Sequence, residues 1–151
     1  MRAFLFTLAL ALAACSPAPE KKATVVEAPA PDVPVKDHRL LLPAEHQISA
    51  TMVRSHILDN KALPGGSLGE YEAQGRKYQL FIIESTTAQN AAFLMLDFKD
   101  TLKNPVYIAY MGGYFGEPAV YVFAKGKFLA GVVGLNQAMA DPIARELAAR
   151  L

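Results

Sequence analysis

The chain has 151 residues, with 15 Lys and Arg against 14 Asp and Glu, one Cys and no Trp. That length fits one domain of ordinary size, and a net charge of +1 lacks the clustered positive charge that nucleic-acid binding needs. One Cys excludes an internal disulfide framework and any Cys-based zinc site, while 52% apolar residues is too many for a chain wholly without a core.

Met1-Arg2 gives a positive start, and Ala3 to Ala14 is an apolar stretch of 12 residues that ends at Cys15. As a helix it would span about 18 Å at 1.5 Å per residue. A bilayer core is ~30 Å thick, so the stretch has the build of a signal peptide and not of a membrane span. Leu12-Ala13-Ala14-Cys15 resembles the lipobox of bacterial lipoprotein precursors. Ala11-Leu12-Ala13 would also serve a general signal peptidase, but the only Cys sits where lipidation needs it. The resemblance implies that residues 1–14 are removed and that Cys15 becomes an acylated first residue. More than one acyl chain, at ~0.8 kcal/mol per buried CH₂, anchors a protein lastingly. It also implies, with Ser16 and not Asp after the Cys, the periplasmic face of the outer membrane in a Gram-negative cell. The membrane is therefore one expected partner, through Cys15.

Residues 15–37 read as a tether. Five of the ten prolines fall between Ser16 and Asp37, and none of the ten glycines do. Such a composition favours extended polyproline-II over a packed core. Residues 38–151 then form the globular domain.

Within that domain Gln47 to Met52 alternates polar and apolar and predicts a half-buried strand, with a helix through Arg54–Leu58 as the competing reading. Asp59 to Gly66 reads as a loop because of Pro64-Gly65-Gly66. Leu68–Ala73 and Lys77–Glu84 predict a hairpin turning at Gly75. Leu80-Phe81-Ile82-Ile83 is apolar on both faces, so this strand should be central. Thr86 to Gln89 fits a capping box and opens a helix burying Ala88, Ala91, Ala92, Met95, Phe98 and Leu102. Asn104-Pro105 ends it. Val106–Met111 is the next strand, and Val120–Ala124 with Lys127–Val133 form a second hairpin around Lys125-Gly126. Asp141 caps and Pro142 opens a last helix, burying Ile143, Leu147 and Leu151. The order β-β-β-α-β-β-β-α, with hairpins between strands, predicts an α+β domain: a mostly antiparallel sheet of about six strands with both helices on one face.

Gly65-Gly66-Ser67-Leu68-Gly69 matches the G-x-S-x-G nucleophile elbow. That elbow needs a strand before it, a helix after it and a His downstream. Here a Pro loop precedes, a strand follows, and His38, His46 and His56 all lie upstream, so a Gly-rich turn is the better reading. No Gly-Lys-Ser/Thr follows the glycines, which excludes a Walker loop. His46, Met52 and His56 follow no recognised copper-ligand spacing, and Met52 should face the core with Ile48 and Ala50. Asp97 and Asp100 share a helix face without a third ligand, and a charge-balanced wet surface fits them better than a cation site.

The most distinctive segment runs from Tyr107 to Pro118. Its tyrosines and Phe115 combine apolar area with polar tips, and its glycines let a backbone come close. Read as a loop, it presents Tyr110, Tyr114, Phe115 and Glu117 as candidate binding residues, with Gly131 and Gly134 leaving a shallow place opposite. These features point to a non-enzymatic, lipid-anchored envelope protein whose domain binds a small ligand or an envelope protein. No cofactor or metal is expected. The alternative is a small envelope hydrolase or transferase whose site spacing alone does not assemble.

Overall fold

The structure, a computed structural model, describes residues 34–151. The expected signal segment, Cys15 and the expected tether up to residue 33 lie outside the described residues. Near the start of the described residues, Lys36 Nζ donates to Glu84 Oε1 at 2.7 Å.

After a 3-10 turn at Arg39–Leu41 come strands β1 (Gln47–Ser55), β2 (Pro64–Ala73) and β3 (Arg76–Glu84). A second 3-10 turn, Ile57–Asp59, lies between β1 and β2. Helix α1 (Ala88–Lys99) follows. Strands β4 (Lys103–Ile108), β5 (Gly113–Glu117), β6 (Val120–Lys125) and β7 (Phe128–Val133) come next, then helix α2 (Gln137–Arg150). The sheet is antiparallel throughout, in the order β1-β2-β3-β7-β6-β5-β4. It is thus two meanders, β1–β3 and β4–β7, zipped together between β3 and β7. The chain reaches the far edge at β4 by way of α1, which packs on β5, β6 and β7. Four strand spacings of ~4.8 Å are about what a 12-residue helix spans at 1.5 Å per residue.

The fold is the expected α+β class, with local signals that act as expected at several points. Gln74 and Gly75 turn the β2–β3 hairpin with φ of 52° and 73°, the doubly positive pair that a tight hairpin turn requires. Leu80, Phe81 and Ile82 are fully buried, and β3 lies third from one edge of seven strands.

The placement of the helices corrects the expected one. Leu80, Ile82, Tyr121, Phe123, Ala130 and Val132 pack with Ala140, Ala144 and Leu147 of α2. Phe81, Ile83, Val122 and Leu129 pack with Met95 and Phe98 of α1. Successive side chains of a strand point to opposite faces, so the two helices cover opposite faces of one sheet. The reason is in the strands: β3, β6 and β7 are apolar on both sides, and each side needs a cover.

Several boundaries also shift. Helix α1 ends at Lys99, and Asn104-Pro105 lies inside β4, which runs Lys103–Ile108 and not Val106–Met111. Pro64, Gly65 and Gly66 belong to β2 and not to a loop. The cap of α1 is Thr87, which accepts the amide of Asn90 at 3.1 Å, while Thr86 Oγ1 takes the Asn90 side chain. The cap of α2 is Asn136, accepting from the Met139 amide at 3.0 Å. Asp141 and Pro142 therefore lie inside α2, and the buried stripe is Ala140, Ala144 and Leu147.

Candidate functional site

The segment from Tyr107 to Pro118 is not a loop. Gly113–Glu117 forms β5, paired with β4 on one side and β6 on the other. Alternation then separates the expected binding residues. Phe115 is half-buried and packs toward the α2 side. Tyr114 points to the α1 side, where the Tyr107 ring lies 5.3 Å away and Lys99 Nζ 5.7 Å from its centroid. Tyr110 is in the β4–β5 turn, and Glu117 ends β5 in the open. The four residues are not brought to one surface. The shallow place opposite them is filled as well. A Cβ on Gly131 would stand 2.7 Å from Cε1 of the Phe81 ring and 2.3 Å from the Tyr121 carbonyl oxygen, so this glycine makes room for the core.

Tyr110 has a different task. Its hydroxyl donates to Asp141 Oδ1, which also accepts from Tyr121 at 2.9 Å. Arg145 Nε donates to Asp141 Oδ2 at 2.9 Å, and its guanidinium stacks 4.3 Å above the Tyr110 ring. The hydroxyl of Tyr110, more than any other neighbour, holds the Asp141 carboxyl below its ordinary value. Burial pushes the Tyr121 phenol up. A carboxylate bonded by two phenols and a guanidinium clamps α2 onto the β4–β5 turn and β6.

A second polar cluster gathers at Glu84. Oε1 accepts from Lys36 at 2.7 Å and Lys127 at 2.6 Å, and Oε2 meets His38 Nε2 at 2.6 Å. Hydrogen bonds from Lys127 and then Lys36 hold this carboxyl down to about 2. The cluster fastens Lys36 and His38 to the C-terminal end of β3. Ser67 lies beside it in mid-strand, fully buried, with its Oγ accepting the backbone amide of His38 at 2.8 Å. It stands neither on an elbow nor in the expected Gly-rich turn.

Met52 and Ile48 are exposed and not core residues, because α2 lies over β6 and β7 and leaves the outer end of its face uncovered. Among the described residues no three His, Cys, Asp or Glu side chains cluster as metal ligands. Asp97 and Asp100 are exposed, and Asp100 pairs with Lys99 at 2.9 Å.

A cavity lies on the α1 face and measures about 390 Å³. Leu68, Gln79, Val120 and Val133 form its floor from four strands, and Phe98 near the end of α1 and Leu102 in the turn after it form a wall. The segment His56–Asn60 forms the facing wall. Its backbone is unusual. His56, Leu58 and Asp59 have φ of 52°, 60° and 54°, the left-handed region that costs a non-glycine residue about 1–3 kcal/mol. Fully buried Ile57 holds it down, and the Asn60 amide bonds Thr101 Oγ1 across the groove at 3.3 Å. Strain of this kind persists only where the surroundings impose it, and it gathers at binding sites.

Sequence reasoning missed this groove. The legible signal was Gln79, which shares a strand face with Phe81 and Ile83 and marks where that face turns from apolar to polar, with Lys77 beyond it. Gln79 is half-buried in the floor, and no buried side-chain N or O among the described residues lacks a hydrogen-bond partner. His56 and Asp59 are exposed at the rim, and no Lys or Arg lines the cavity. Compared with protein-family models, with curated proteins and with solved structures, the chain finds no match.

Proposed function

We propose that this chain is a lipid-anchored protein of the bacterial cell envelope, and that its domain is a non-enzymatic binding module with its site in the groove on the α1 face. The groove is the observation that carries the reading. It offers a volume within the roughly 300–1,000 Å³ of small-molecule sites, an apolar floor and a few placed polar groups. The envelope address rests on Leu12-Ala13-Ala14-Cys15 and on the Pro/Ala tether behind it. No helix of the described residues is long and apolar enough to cross a membrane, and an acyl group on Cys15 would serve as the attachment. Ser16 directs the protein to the periplasmic face of the outer membrane in a Gram-negative cell.

The anchor is tested in cells fed a clickable fatty-acid analogue. Wild type should take up the label and fractionate with membranes. Cys15→Ser should take up none and run as an unprocessed or soluble form. A wild-type protein without label would overturn the anchor.

A further inference from the structure

The groove proposed above as the binding site also states what it would accept, and this inference rests on that proposal. We infer that its ligand is a small, uncharged or cationic molecule with an aliphatic body and an amide that pairs with Gln79, the size and chemistry of a capped amino acid or short peptide.

Charge narrows the choice first. Asp59 carries the one carboxylate at the rim, and no Lys or Arg lines the cavity. An anion entering a largely apolar space would give up hydration and find no Lys or Arg to replace it, only the exposed His56 imidazole at the rim beside Asp59. A cation would meet Asp59.

The floor narrows it further. Leu68, Val120 and Val133 are aliphatic, and the aromatic ring in the wall, Phe98, is buried edge-on against Phe81 with centroids 6.3 Å apart. A sugar finds no open aromatic face to stack on. A bare alkyl chain would fit the aliphatic surface, but it would cover the Gln79 carboxamide and leave a donor and an acceptor unpaired, which is the expensive outcome. An amide offers the matching acceptor and donor. The Asn60–Thr101 pair on the walls adds further hydrogen-bonding groups at the mouth.

The test is a methyl and amide NMR titration of the full chain with four probes: N-acetyl-leucinamide, leucinamide, N-acetyl-leucine and toluene. The two amides should shift the signals of Leu68, Val133 and Gln79 and bind about tenfold more tightly than the anionic N-acetyl-leucine. Gln79→Leu should weaken N-acetyl-leucinamide by about tenfold and leave toluene as tight or tighter. Leu68→Phe, which narrows the groove, should weaken all four, and the unchanged melting temperature of Gln79→Leu guards against a folding artefact. If toluene binds in the groove but the amides show no preference over N-acetyl-leucine, or Gln79→Leu does not alter them, the ligand class is overturned and the groove stands. If no probe moves these signals, the groove itself is overturned.

Discussion

Single side chains decide how the domain closes on itself, and Glu84 is the clearest case. Its side chain is 8% exposed and is met by Lys36, Lys127 and His38. The carboxyl is held down to about 2 from 4.5, so its contribution to stability is complete above about pH 4.5 and is lost as pH falls toward 2. Glu84→Gln keeps the shape and removes the charge. It should cost about 1–2 kcal/mol at pH 7 and should flatten the loss of stability between pH 4.5 and 2, read as urea midpoints for both proteins. Equal pH profiles would mean that the cluster contributes nothing. Nothing in the sequence announced it, because Lys36, His38, Glu84 and Lys127 are joined only by the fold. Asp141 is similar. Asp-Pro has the look of a helix start, yet Asn136 five residues earlier takes the cap, and Asp141 is left free to collect Tyr110, Tyr121 and Arg145.

At the scale of elements, hairpins were the most legible parts. Gly75 and Gly126 sit in turns with positive φ, and a tight turn fixes its two strands by local chemistry alone. The strand β5 was not legible. Its glycines and aromatics argued for a loop, but Gly113 lies against the Val122 carbonyl with no room for a Cβ, and Tyr114 and Phe115 each find a cross-strand neighbour. A strand buried mainly by its partners shows little in its own composition. This changes what mutation should do. A loop reading expects no loss of stability from truncating Tyr114 and Phe115. The observed strand expects Phe115→Ala to cost about 2 kcal/mol, below the 3–5 of a fully buried aromatic because the ring is only half-buried. Tyr114→Ala should cost less, since its ring borders Tyr107 and Lys99 at the surface. Thermal melts of the two single variants decide it, and two unchanged melting temperatures would restore the loop.

The sheet as a whole is closed by two helices because its central strands are apolar on both faces, a property already visible in Leu80-Phe81-Ile82-Ile83. That run makes the strand central, and its two apolar faces each call for a helix. Strand order was beyond local reasoning, since the β3–β7 seam joins residues about fifty apart. The groove arises from this layout: α1 and the strained turn after β1 leave part of their face open, with Gln79 at its floor. Its lining comes from six separate elements and connecting turns, which is why no motif marked it. The most direct measurement is native mass spectrometry of the full chain released from its own envelope, compared with Leu68→Phe prepared in the same way. Wild type should carry a small adduct of defined mass that Leu68→Phe lacks, with both proteins melting alike. Identical spectra, either both bare or both carrying the same adduct, would contradict binding in the groove.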